Sequence, residues 1–216
     1  MSKPTALHRT NGRRIVRRCE ICDRLPWASK ATPMCICNSV NLDLGCGPTP
    51  QKGFVGIDKR DVGHVDIVWN LETFPWPFPE SCGYKILCSH LFEHIDPANS
   101  IDFMNELWRV CHPNGQLLMI VPHGRSFGYL QDPTHRNPCN EATWDYFDPM
   151  HKSRLWSIYA PKPWKVVRRH YSPTANIEVI MEPYKNPDGT AMKVTYAKHR
   201  KRALRQVQRE GVTYHG

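Results

Sequence analysis

The run Leu42-Asp43-Leu44-Gly45-Cys46-Gly47-Pro48 closes an apolar segment with two glycines one residue apart. Glycine takes positive φ without penalty and lets a ligand approach the main chain closely. Eleven residues after Gly47 stands Asp58, at the end of a second apolar run, Gly53-Phe54-Val55-Gly56-Ile57. A carboxylate only accepts hydrogen bonds, so one placed there could hold both hydroxyls of a ribose. Glycines after one strand and an acid after the next are the pattern of a nucleotide-like cofactor site in a parallel sheet. A tight turn beside a surface Asp is the plainer alternative.

Two other clusters carry possible chemistry. Cys19-Glu20-Ile21-Cys22 and Cys35-Ile36-Cys37 are separated by twelve residues. Cys19, Cys22, Cys35 and Cys37 could close a tetrahedral structural zinc site, with His8 as a substitute ligand. The second pair is one residue short of C-x2-C, and four free thiols in an arm are the competing reading. His90-Leu91-Phe92-Glu93-His94 matches the H-x-x-E-H pattern of a zinc peptidase class. It directly follows a buried apolar run, however, and a five-residue pattern arises easily by chance. We read Leu91 and Phe92 as packing inward, His90 as facing the cleft, and Glu93 or His94 as structural or substrate-side.

The elements that must position these residues follow from periodicity. Val40–Leu44, Gly53–Asp58, Val65–Trp69, Tyr84–Cys88 and Gln116–Val121 read as strands. Ile101, Met104, Leu107, Trp108 and Cys111 recur at helical spacing, so residues 98–111 are expected to form an amphipathic helix, ended by Pro113-Asn114-Gly115. Trp164–His170 and Ile177–Met181 are expected to add antiparallel edge strands. Trp144, Tyr146 and Phe147 fit either a pocket wall or a helix packed on the core. Only nine residues separate Leu44 from Phe54, too few for a crossover with a full helix. A turn is expected there. The sum is an α/β fold with a mostly parallel sheet and helices on both faces, plus a small cysteine-containing N-terminal arm.

Charge divides the chain in three. Its 216 residues carry 29 Lys+Arg against 20 Asp+Glu, net +9. Residues 1–40 are net +6, residues 41–150 net −7 and residues 151–216 net +10. We therefore expect a basic arm at 1–39, an α/β domain at 40–192 and a basic tail at 193–216. The segment Lys193–Arg209 holds seven Lys+Arg and no acid. Such ends could contact nucleic acid or simply be solvated. No apolar run approaches the roughly 20 residues of a membrane span, and the N-terminus has no apolar signal core. Nine cysteines, an odd number, argue against a closed disulfide framework. A cytoplasmic protein without a membrane partner is the expectation.

The segment Leu42–Gly47 resembles the first motif of the class I S-adenosylmethionine-dependent methyltransferases, a small type 11-like subgroup in particular, and Asp58 resembles that family's ribose-binding acid. Trp69-Asn70-Leu71-Glu72 is similar to the residues around the adenine, although Asn70 stands where the subgroup often has Asp. Cys88-Ser89-His90-Leu91-Phe92-Glu93-His94 resembles the segment beside the methionine portion. Glu106–Gly115 is similar to the helix and turn before the fifth strand, and Asp132-Pro133-Thr134-His135 recurs in the subgroup. The resemblance spans about residues 40–150. It implies a Rossmann-like fold with S-adenosylmethionine as cofactor, bordered by Asp43, Gly45, Cys46, Gly47, Asp58, Asn70, Leu71, Ser89 and His90. Methyl transfer is an in-line displacement in which positioning supplies much of the rate. His123, Asp132 and His135 are candidate bases, with His90 beside them, and Arg125 and Arg136 are candidates for an anionic acceptor. A small-molecule or sugar-like acceptor is the first expectation and a nucleic acid the second. The non-enzyme alternative is a zinc-containing nucleic-acid-binding protein with a non-catalytic methyltransferase-like domain.

Overall fold

The computed structural model describes residues 8–10, 13–15 and 40–192. Strands β1 (His8–Thr10) and β2 (Arg13–Ile15) pair antiparallel. Cys19, Cys22, Cys35, Cys37 and the basic segment 193–216 lie outside the described residues.

The core is a seven-stranded sheet. Strand β3 (Val40–Leu44) pairs in parallel with β4 (Val55–Asp58), and β4 with the two-residue β5 (Ile67–Val68). All four residues of β4 are buried, as befits a parallel strand covered on both faces. The chain then crosses to the other side of β3, where β6 (Gly83–Ser89) lies parallel to it. Helix α1 (Ser100–Val110) leads directly into β7 (Cys111–Pro122), parallel to β6. Two single turns of helix follow, α2 (Phe127–Leu130) and α3 (Trp156–Tyr159). The hairpin of β8 (Trp164–Tyr171) and β9 (Asn176–Pro183) completes the order β5-β4-β3-β6-β7-β9-β8.

Only β9 opposes the rest. It is antiparallel to both β7 and β8, so β8 points the same way as the central strands. The expected pair of antiparallel edge strands is thus one antiparallel strand, with a returning strand at the edge. In β9 burial alternates, with Ile177, Val179 and Met181 inward. Edge strand β8 carries Lys165, Arg168 and Arg169, charges that discourage pairing with another chain.

The expected helix becomes a short 3-10 turn at Pro97–Asn99 followed by α1. Its Phe103, Met104, Leu107 and Trp108 are buried. Phe103 packs edge-on against Trp76, centroids 5.3 Å apart, and against Phe92 at 5.6 Å. Glu106 on the same helix is buried, accepts the Trp76 amide at 2.6 Å and pairs with Arg109 through two bonds of 2.8 and 2.6 Å. This ties the loop after β5 down onto α1. Trp144 and Phe147 are core residues, 0 % and 3 % exposed. Among the described residues no helix is long and apolar enough to cross a membrane.

The connection from β3 to β4 contains turns and no helix, as its length requires. Backbone and carboxylates hold it instead. The Gly45 amide donates to the Ile57 carbonyl at 2.8 Å and the Cys46 amide to the same oxygen at 3.1 Å. The Gln51 amide donates to Asp43 Oδ2 at 2.7 Å, and the Gly47 amide to Asp58 Oδ2 at 3.0 Å.

Candidate functional site

Strands β3 and β6 are neighbours, but the chain leaves β3 toward β4 and returns on the far side to form β6. At such a reversal the connections diverge and leave a crevice at the carboxyl ends of the strands. Here that crevice is a cleft of about 760 Å³. Its walls include Gly45 after β3, Asp58 to Arg60 after β4, Trp69 to Glu72 after β5 and His90 to Leu91 after β6. His94, Ile95 and the loop residues Asp132, Pro133, Thr134 and Arg136 form the remaining side.

Gly45 has φ +67°, and a Cβ there would stand 3.0 Å from Leu91 Cβ and Cδ1. Both facts call for glycine at this position. Asp58 is 5 % exposed. Its Oδ1 accepts the Arg60 amide at 2.9 Å and Arg60 Nε at 3.2 Å, and its Oδ2 accepts the Gly47 amide. Burial pushes its pKa up, but the Arg60 and Gly47 hydrogen bonds and the Arg60 charge outweigh this and hold it below the usual carboxylate value. Asp58 is therefore an anion, with lone pairs left to accept further donors.

The other glycine-loop residues support the cleft without being part of its lining. Asp43 is buried behind the loop and clamps Gln51; burial raises its pKa, and the Gln51 hydrogen bond offsets part of that rise. Burial and the nearby Asp43, Asp58 and Asp66 push the Cys46 thiol up to about 12, so it stays protonated. Gly47 and the half-buried Ser89 likewise stand outside the lining.

His90 lines the cleft with φ +51°, a left-handed conformation uncommon outside glycine. Its Nδ1 lies 3.2 Å from Glu93 Oε1, and the proximity of that carboxylate is the main cause of its raised pKa. Asp132 also lines the cleft. His135 lies just behind, its Nε2 3.7 Å from Asp132 Oδ2 and its Nδ1 2.9 Å from the Tyr129 carbonyl. His123 stands apart. Its Nδ1 accepts the Arg125 amide at 3.0 Å, its Nε2 is 3.6 Å from Glu141, and its ring meets Tyr171 edge-on. Arg125 is exposed, and Arg136 is engaged by the protein itself. Arg136 Nη2 donates to both oxygens of Glu72 at 3.0 Å, Nη1 to Asp96 at 3.3 Å and Nε to the His94 carbonyl at 2.9 Å.

Sequence reasoning overlooked Arg60 and the Glu72–Arg136 clamp. Arg60 sits two residues after Asp58, and its amide and Nε both reach back to that acid; that spacing was the available signal. The clamp joins residues 64 positions apart and had none.

No family model matches the chain, and no curated protein matches it. Among solved structures it is similar to the PH0226 protein of Pyrococcus horikoshii, at 15% identity and TM-score 0.50 over 68% of this chain and 82% of that one. It is also similar to a SAM dependent methyltransferase from Archaeoglobus fulgidus, at 13% identity and TM-score 0.48 over 68% and 86%. A third is Burkholderia thailandensis 1,6-didemethyltoxoflavin-N1-methyltransferase, solved with 1,6-didemethyltoxoflavin and S-adenosylhomocysteine, at 13% identity and TM-score 0.46 over 68% and 71%. The architecture, a mostly parallel seven-stranded sheet with helices, is a Rossmann-like α/β fold.

Proposed function

We propose that the protein is a class I methyltransferase using S-adenosylmethionine. The observation that carries this reading is the meeting of Gly45 and the ionised Asp58 in one cleft at the β3–β6 reversal. The residues fit the cofactor: Gly45, whose positive φ and packing against Leu91 call for a residue without a Cβ, brings bare backbone to the cleft wall, and Asp58 has acceptor capacity for two ribose hydroxyls. Asn70 and Leu71, after β5, would border the adenine, with Asp43, Cys46 and Gly47 shaping the loop from behind. Ser89 and His90 would flank the methionine portion. Bound S-adenosylmethionine supplies an electrophilic methyl group. The chain's task is then to hold an acceptor atom in line with it and exclude competing water.

The acceptor end is assigned to the wall of His90, His94, Asp132 and Thr134, with His135 behind it. Asp132 is placed to take a proton there, with His135 as the alternative base where its Nε2 carries no other ligand; His123, outside the cleft lining, would support the loop that carries Arg125. A small-molecule or sugar-like acceptor suits a cleft of this size. The basic termini support a nucleic acid as the competing acceptor, and steep salt dependence of binding would distinguish it. We assign residues 40–192 as the methyltransferase unit, residues 1–39 as a basic arm whose Cys19, Cys22, Cys35 and Cys37 are a candidate structural zinc site, and 193–216 as a basic tail. Cys46, Cys82, Cys88, Cys111 and Cys139 are free thiols, which suits a reducing, cytoplasmic setting.

Calorimetric titration with S-adenosylmethionine and S-adenosylhomocysteine tests the cofactor assignment. Saturable one-to-one binding of both is expected. Absence of binding by folded protein would leave the fold without this function and favour the non-catalytic, nucleic-acid-binding alternative.

A further inference from the structure

Glu93 is 0 % exposed, the most deeply buried acid of the described residues, and neither of its carboxylate oxygens has an aligned hydrogen-bond partner. Burying a carboxylate without partners is costly, and such groups are normally paired or bound to a metal. His90 Nδ1 and His135 Nε2 approach Oε1 to 3.2 and 4.0 Å. Around this carboxylate, Glu93, His94 and His135 each bring one donor atom within 4.8 Å of the others. Three ligands about 2.1 Å from one metal ion stand about 3.0–3.6 Å from one another, so an inward shift of the side chains by about 1 Å closes the set.

The histidines are held in the tautomer that metal binding needs. The Tyr129 carbonyl can only accept, so His135 Nδ1 carries its proton and the neutral ring offers the Nε2 lone pair. Thr134 gives its hydroxyl proton to Asp132 Oδ1 at 2.7 Å and so accepts from His94 Nδ1 at 3.1 Å, which leaves His94 Nε2 free in the same way. Imidazoles bound through one nitrogen while the other donates to an oxygen are the usual arrangement of metal-ligating histidines. The backbone is fixed as well: the Glu93 carbonyl accepts the Arg136 and Asn137 amides at 2.9 and 3.0 Å, locking the turn after β6 to the loop that carries His135.

We infer that Glu93, His94 and His135 form a site for one divalent transition metal ion beside the cleft. Two imidazoles and one carboxylate suit Mn²⁺, Fe²⁺, Co²⁺ or Zn²⁺ over Ca²⁺ or Mg²⁺. Three protein ligands leave coordination positions open, and His94, Asp132 and Thr134 line the cleft on that side. An oxygen of the methyl acceptor is the ligand these positions fit, an assignment that rests on the methyltransferase reading; the metal site itself does not. Glu93 and His94 come from the H-x-x-E-H pattern, whose first His90 pairs with Glu93 while His135, forty-one residues beyond His94, supplies the remaining ligand.

The test is Mn²⁺ titration of full-length, chelator-stripped protein, followed by loss of the free-ion paramagnetic resonance signal. Mn²⁺ is chosen because thiolates bind it poorly, which separates this site from the cysteine arm. One ion taken up per chain is expected, with affinity at least tenfold weaker in Glu93→Gln and in His94→Ala, and unchanged in Cys19→Ser/Cys22→Ser. If Glu93→Gln does not fold, His94→Ala, at the partly exposed cleft wall, carries the comparison. No uptake of Mn²⁺ or Co²⁺ by wild type, or affinity within threefold of wild type in the folded variants, overturns the site; a histidinium at His90 then compensates Glu93. S-adenosylmethionine titration on the same samples separates the two readings. Metal uptake without cofactor binding keeps the site and removes the methyltransferase assignment; cofactor binding without metal uptake does the reverse.

Discussion

Asp58 and Arg60 define a competition that can be measured. With no cofactor, Arg60 donates to Asp58 through its backbone amide and its Nε. The Arg60 side chain is 62% exposed, so solvent screens its ion pair and the pair adds little. Two ribose hydroxyls donating to the carboxylate would contribute about 1.5–3 kcal/mol each, as hydrogen bonds to a charged group do. The displaced exposed pair offsets little of this, so roughly 3–6 kcal/mol of cofactor binding free energy rests on Asp58. At 1.4 kcal/mol per decade, Asp58→Ala should raise Kd for S-adenosylmethionine roughly 100-fold to 20,000-fold. Asp58→Asn keeps one acceptor and should fall between that variant and wild type. Arg60→Ala frees the carboxylate and should tighten binding only slightly, because the exposed pair it removes is screened; in the Asp58→Ala background it should do nothing. Calorimetry on the four proteins closes the cycle, with thermal melting to confirm folding. A folded Asp58→Ala protein that binds within threefold of wild type refutes the ribose role. Weakening by Arg60→Ala beyond tenfold would instead make Arg60 a direct cofactor contact.

Two further perturbations test the supports of the site. Gly45→Ala places a Cβ at φ +67° against Leu91; a stability loss of about 1–2 kcal/mol is expected in urea denaturation, with cofactor binding weakened more than tenfold, and unchanged values for both would remove the close-approach argument. Burial lowers the Lys185 amine to about 8, although it donates to the Arg109 and Cys111 carbonyls at 2.9 and 2.7 Å. A depressed ammonium destabilises the fold below about pH 8, and this cost is relieved as pH rises toward the unfolded value near 10.5. Wild type should therefore gain stability relative to Lys185→Met between pH 7 and 9.5, since effects of the buried thiols are common to both; a constant difference would show that the two carbonyl contacts fully solvate the charge.

Strands β3, β4 and β6 and the body of β7 could be read from the sequence because each is a short apolar run with a fixed period, and burial follows it directly. The ends were less legible. Only Ile67–Val68 of the expected Val65–Trp69 pairs, because β5 has one neighbour and Asp66 turns its carboxylate onto the Gly56 amide at 2.9 Å. β7 begins at Cys111, five residues before the expected Gln116, since Pro113-Asn114-Gly115 is absorbed as an irregularity in its register with β6. Gly45, Asp58, Asn70, Leu71, His90 and Asp132 meet in one cleft because they follow strand ends, and strand ends are what periodicity locates. The Glu93–His135 approach was invisible for the opposite reason. It depends on a loop whose path is set by Arg136 and Asn137 amides, and no local pattern encodes that.

The turn after β3 shows how this chain dispenses with a helix at its glycine loop. A helix following such a loop would contribute its N-terminal amides and dipole to the crevice. Here two buried carboxylates take over the bracing: Asp43 from behind at Gln51, Asp58 from the neighbouring strand at Gly47. Asp58 thus serves the loop and the cleft with the same oxygens. Substituting it should therefore loosen the Gly47 turn as well as remove the ribose acceptors, whereas Asp43→Asn, which keeps an acceptor for Gln51 and does not line the cleft, should disturb cofactor affinity far less. The two acids look alike in sequence, each ending or nearly ending a strand. What separates them is which side of the strand faces the crevice, a consequence of the two-residue period of β3 and the position of β4 beside it.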